Sequence, residues 1–430
     1  MKKNLFNKYF FGSVLLVAVL VADPFKDNLR ENRSDKQAEN AGLKLPAGFS
    51  ASIMLDSIGK ARHIVVTKKG AIYIKLSKLL DGKGILYGKD INGDGKIDDI
   101  KSFGSYIGTG ITIKDGYLYA SSNDEVFRYR LNDNEEVLNP DAPEKIITGL
   151  INGRQHNTKS LVLDDKGNIY VNIGSPSNSC QQIDRGVGSK GKDPCPILDS
   201  AGGIWQFSAD KLNQTYKDGV RYATGLRNVM GLDWNYEINE LFVVQHGRDQ
   251  LDMFPEYFSA KQNADIPAEE MFMIKKGADC GWPYCYFDVQ QNKKVLAPEY
   301  GGDGKKTTRC EGVEQPLVAF PAHVAPNALL FYTGNMFPEK YKNGAFVAFH
   351  GSWNRSPEKQ EGYYVAFVPF KNGRPGGPWE IFADGFAGVE TVMTPKQAMH
   401  RPCGLAQGPD GALYISDDVK GTIYKIVYKK

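Results

Sequence analysis

The stretch "KDGYLYASS" at residues 114–122 decides the fold. A glycine turn opens onto a short aliphatic and aromatic run that ends in small polar residues, the signature of a buried strand rather than a helix. The pattern returns as "KKGAIYIKL" (68–76), "DKGNIYVNIG" (165–174), "INELFVVQHG" (238–247), "KNGAFVAFHG" (342–351) and "PDGALYISDD" (409–418). That makes six copies, spaced from 46 to about 100 residues apart. A propeller blade takes roughly 40–50 residues, so the longer gaps hold inserted loops. Four-stranded sheets repeated around an axis hide their edges, which isolated hairpins cannot do. The chain therefore reads as all-β, a six-bladed β-propeller, with a pair of β-sandwiches as the alternative.

The 430 residues, 41% of them hydrophobic, supply ample material for such a core. Formal net charge is +3, and Lys2, Lys3 and Lys8 all precede the apolar run "YFFGSVLLVAVLVA" at 9–22. Cleavage after Ala22 would leave a chain near neutrality with no basic run, which argues against nucleic acid as a partner. Residues 1–22 read as a signal peptide or an uncleaved N-terminal anchor, which would be the chain's one attachment to a membrane. Residues 23–44 read as a polar linker, and residues 45–430 as the propeller.

Export suits the six cysteines, Cys180, Cys195, Cys280, Cys285, Cys310 and Cys403. Six allow 15 pairings; Cys180–Cys195 and Cys285–Cys310 would each close a loop. No C-x-x-C and no histidine at ligand spacing supports zinc.

"KDINGDGKIDD" at 89–99 resembles an EF-hand loop, with Asp90, Asn92, Asp94 and Asp98 as oxygen donors. β runs flank it, however, and Lys101 stands where a bidentate glutamate is expected. It reads as a hairpin loop that either binds calcium through those four residues or holds only Asx-type turns.

Several repeats run from their apolar strand into polar motifs: "GRQHNTKSL", "VVQHGRDQL", "FPAHVAPNA", "AFHGSWNR" and "MHRPCG". Histidine is a base tuned near neutrality, and arginine forks suit carboxylates. Recurrence at blade-equivalent positions predicts a convergent polar centre; a water-lined channel is the alternative.

Together with "LPAGFSASI", "GLRNVMGL", "GWPYCY" and "RPCGLAQGPDGALYISDD", these stretches resemble the pyrroloquinoline quinone (PQQ)-dependent sugar dehydrogenases. The likeness is closest to the sorbosone and pyranose branch, and more distant to soluble quinoprotein glucose dehydrogenase. It covers Leu45 to the C-terminus. It implies PQQ across the channel mouth, calcium held by the quinone and backbone carbonyls, and hydride transfer from the sugar C1 carbon. By motif, His156 matches the general base. Arg227, Asn228, His246, His350, Arg355 and Arg401 match cofactor contacts, and Glu269 lies near a substrate-side acid. Gly247 and Arg248 occupy the place whose carbonyls ligate calcium. Ser175 and His246 depart from the aspartate and glutamine of the glucose enzymes, which moves the substrate away from glucose. No fused cytochrome is present in this sequence, so electrons would pass to a separate acceptor, a cytochrome or a quinone.

Competing functions are a calcium-dependent lactonase-type hydrolase and a non-catalytic carbohydrate- or protein-binding propeller. Convergence of His156, Arg227 and Arg401 on one channel mouth discriminates: scatter would favour the binding module.

Overall fold

A computed structural model describes residues 40–429; the signal or anchor segment and most of the predicted linker lie outside them. The described residues form six antiparallel blades of four main strands each. The innermost strands are Ala61–Val66, Ile111–Lys114, Leu161–Leu163, Val229–Asn235, Pro326–Phe331 and Pro402–Gln407. Each neighbours the next in chain order, and the last returns to the first, so the ring is closed.

Every one of the six sequence repeats supplies the second strand of one blade: Ile72–Leu80, Tyr117–Ser121, Asn168–Ile173, Glu240–Gln245, Ala345–Phe349 and Leu413–Asp417. The last two are buried along their whole length. Neighbouring blades cover both faces, so these strands read as continuous apolar runs rather than alternating ones. The outermost strands, such as Asp99–Phe103, are largely exposed. The turn before each second strand needs a left-handed residue. In two repeats an asparagine provides it instead, Asn239 (φ 55°), where no glycine is present, and Asn343 (φ 57°), just before Gly344.

Closure of the ring is not visible in the repeats. The strand Phe49–Leu55 pairs antiparallel with Ile423–Tyr428, placing Ala51 opposite Ile426. The start of the domain thus completes the blade begun by its end, which locks the ring and leaves each blade with only a short outer edge. The expected Cys180–Cys195 and Cys285–Cys310 disulfides both form, while Cys280 and Cys403 are buried free thiols.

Antiparallel order fixes which loops meet. Second strands end, and third strands begin, at the same end of the ring; so do the connections from one blade to the next. That end receives the polar residues that terminate the repeats. The 89–99 loop joins the third and fourth strands of its blade and therefore lies at the opposite end.

Candidate functional site

At the receiving end of the ring lies a cavity of about 380 Å³. His156, Arg227, Asn228, His246, Gly247, Glu269, His350 and Arg401 all line it. They arrive from five inter-strand connections and a strand end beside one of them, spread over more than 240 residues of sequence.

His156 sits in the left-handed region (φ 51°), a strained backbone of the kind that clusters at functional sites. Gly174 makes room for it: a Cβ there would lie 2.7 Å from the His156 Cβ. The His156 Nδ1 is 2.6 Å from the Ser175 carbonyl oxygen, which can only accept, so Nδ1 carries the proton and Nε2 keeps its lone pair. Burial, then the Arg227 charge, pull its pKa down to about 3, so the ring is a neutral acceptor throughout the physiological range. Ser175 is wholly buried and acts here through its backbone, its own hydroxyl donating to the Ser177 carbonyl.

Arg227 is 3% exposed and donates to the Gly247 carbonyl (2.8 Å) and to Asp249 Oδ2 (2.6 Å). Asp249 also accepts from Arg185 (2.9 Å) and from the Asn354 amide (2.8 Å). Burial pushes the Asp249 carboxyl up, but Arg227, His323 and Arg185 more than offset it and hold the group well below the usual carboxylate range. On the opposite wall His350 donates from Nε2 to Asp418 Oδ1 at 2.7 Å. Arg401 donates to the carbonyls of His350 (2.7 Å) and Gly351 (2.6 Å), leaving Nη1 without a protein partner among the described residues. His246 donates from Nε2 to Asn327 Oδ1 (3.0 Å), and burial lowers its pKa to about 4.

Glu269 accepts from the Gly247 amide (2.7 Å), and burial raises its pKa to about 8. The cavity therefore combines four guanidinium groups, those of Arg62, Arg185, Arg227 and Arg401, with one fully ionised lining carboxylate, Asp249. Such a surplus of fixed positive charge attracts an anion.

Arg355 corrects its expected role. Its guanidinium donates to the carbonyls of Ala264 and Ala322 and faces Asp265 and Glu361, so it braces a loop instead of reaching the cavity. The Arg248 side chain likewise turns away to Glu299, leaving only its backbone for any role at the site. Asp90, Asp94 and Asp98 bring carboxylate oxygens within 4.8 Å of one another. Asp90 meanwhile accepts from the Gly93 and Gly95 amides, as an Asx-type turn would.

Asp249, Arg185, Arg62 and Asn327 were not singled out from the sequence. Asp249 lay within the quoted "QHGRDQL", and Asn327 within "FPAHVAPNA". Arg62 and Arg185 carry no local motif; only folding brings them to the cavity.

A family model described as TrAA12-like matches residues 43–429. An uncharacterized protein of Borreliella burgdorferi is 28% identical over 402 residues, covering 90% of this chain and 91% of that one. A pyrroloquinoline quinone-dependent sugar dehydrogenase of Hypocrea jecorina is 24% identical over 344 residues, covering 74% of this chain and 73% of that one. The calcium structure of a Trichoderma reesei carbohydrate-active enzyme of family AA12 superposes with a TM-score of 0.73 at 19% identity, covering 90% of this chain and 97% of that one.

Proposed function

The chain belongs to the TrAA12-like family, and from that premise and the site we propose that it is a PQQ-dependent sugar dehydrogenase. The observation that carries this reading is the convergence of His156, Arg227 and Arg401 on one cavity, with the His156 Nε2 lone pair free. The relatives' names support the same reading.

The residues present fit such a cofactor. PQQ is a planar tricarboxylate, and the cavity is rich in guanidinium donors. Among the described residues, Arg227 Nε is buried without a hydrogen-bond partner, and Arg401 Nη1 has none either. Arg227, Arg401, Asn228, His246 and His350 would hold the cofactor, and the carbonyls of Gly247 and Arg248 would face its calcium ion. The cofactor, when bound, supplies the hydride acceptor, with calcium as Lewis acid.

The chain's own residues do the rest. His156 Nε2 takes the proton of the sugar's C1 hydroxyl, and the Ser175 carbonyl, holding Nδ1–H, stabilises the imidazolium that results. Asp249 fixes Arg227, and burial together with the Arg227 charge keeps His156 unprotonated until substrate arrives. The substrate of this reading is a pyranose or sorbosone-like sugar, and electrons leave to a separate cytochrome or quinone acceptor. The two disulfides and the apolar N-terminus support export to an oxidising compartment. The 89–99 loop is a second calcium site in this reading, structural because it lies at the far end of the ring.

The test is titration of the metal-stripped protein with PQQ and calcium, followed by absorbance and dye-linked sugar oxidation, with His156→Ala alongside. Binding and sugar-dependent dye reduction, abolished in the variant, is the expected result. No binding at micromolar PQQ would leave a propeller used for recognition.

A further inference from the structure

Trp353 is 53% exposed, yet it lines the cavity. Of the five tryptophans, Trp205, Trp234 and Trp282 are buried, and Trp379 packs against Phe320 and Tyr364.

The exposure is enforced by the neighbours. Ser352 is wholly buried, its amide donating to the Glu361 carbonyl (2.8 Å) and its hydroxyl to Gln360 Oε1 (2.9 Å). Asn354 is tied to Asp249 (2.8 Å), and its carbonyl accepts from the Asn263 amide (3.3 Å). Arg355 is buried and anchored as described above. Both flanks are pinned, so the loop presents the indole and cannot fold it into the core. Arg185 lies over the ring, its Cζ 5.9 Å from the centroid, and is itself held by Gln250, Gln155 and Asp249. Beside the indole, Asn354 Oδ1 is buried without any hydrogen-bond partner among the described residues, although Asn354 lines the same cavity.

We propose that Trp353 is the platform on which the substrate's pyranose ring stacks, with Asn354 Oδ1 accepting from one of its hydroxyls. A pyranose has an apolar C–H face and a polar rim. An aromatic ring with an amide oxygen beside it complements both. A flat protein partner would instead need a contiguous apolar patch, and here a single ring stands among polar groups. The inference rests on the sugar dehydrogenase reading and adds the residue that recognises the ring.

The experiment uses the holoenzyme, loaded with PQQ and calcium, and compares wild type with Trp353→Phe and Trp353→Ala. Acrylamide quenching of tryptophan emission is measured with and without the 1-deoxy analogues of glucose, galactose, mannose and fucose, which lack the hydroxyl to be oxidised. At least one analogue shields the exposed indole in wild type, and the shielded component is missing in Trp353→Phe. For the parent sugar, KM rises about tenfold in Trp353→Ala, kcat falls by less, and the phenyl ring of Trp353→Phe recovers most of the loss. Shielding by none of the four, or an unchanged KM in Trp353→Ala, overturns the platform. Failure of wild type to bind PQQ would instead strike the dehydrogenase reading, while the quenching result, which needs no turnover, still decides the platform.

Discussion

Asp249→Asn is the perturbation with the most direct structural arithmetic. The carboxylate is buried and accepts from two guanidiniums and an amide at 2.6–2.9 Å, with the His323 Nδ1 at 3.9 Å. The substitution keeps the shape and removes the charge. Arg227, almost wholly buried, then keeps the Gly247 carbonyl as the one strong acceptor of its guanidinium among the described residues. Removing one member of a buried ion pair costs about 3–5 kcal/mol. Arg185 is partly solvated and contributes little, and the asparagine oxygen still accepts one bond, so we expect a loss of about 3 kcal/mol at pH 7. The assay is urea denaturation of both proteins across pH. Because the folded pKa of Asp249 is depressed, its contribution is present above the unfolded value near 3.9 and is lost as pH falls through the lower folded value. The gap between wild type and variant should therefore be full at pH 7 and narrow below about pH 4. A loss under about 1 kcal/mol at pH 7, or a gap indifferent to pH, would refute the view that Asp249 anchors the cationic cavity.

Four further outcomes follow from the same geometry. His156→Gln should lower sugar turnover by about 10²–10⁴-fold while PQQ still binds, and the acid limb of wild-type kcat/KM should fall well below the usual histidine range, since His156 is held near pKa 3; an acid limb near pH 6.5 would count against it as the base. Glu269 has a raised folded pKa of about 8, so it holds a proton that the unfolded chain has lost, and stability should decline between about pH 4 and pH 8; Glu269→Gln should flatten that decline when melting is followed across pH. Replacing Cys180 and Cys195 together by alanine opens a loop of 15 residues carrying Arg185, at an expected cost of about 3 kcal/mol in urea denaturation. Asp94→Ala with Asp98→Ala should lower bound calcium by one equivalent in metal analysis and leave sugar oxidation intact, since that loop lies at the far end of the ring.

The sequence by itself determined the fold class and blade count. Second strands buried on both faces must be continuously apolar, so six copies of one pattern are six blades. It also placed His156, Arg227, His246, His350 and Arg401 at one site, because each follows directly on a repeat or precedes the next innermost strand. Both disulfides were legible as the closures of short inserted loops.

Other features were decided only in three dimensions. Arg355 shares a motif with His350, but the loop turns between them and carries its guanidinium outward to Asp265 and Glu361. Arg62 and Arg185 reach the cavity from a first strand and a disulfide-closed insertion that carry no local signature. Asp249 gains its meaning from Arg185, 64 residues away in sequence, as much as from Arg227. The pairing of Phe49–Leu55 with Ile423–Tyr428 is invisible to local pattern because its partners stand at opposite ends of the chain. Sequence records what a residue can do and which face of a strand it prefers. Which side chains then meet, and how burial shifts their protons, depends on contacts between distant segments that exist only once the ring has closed.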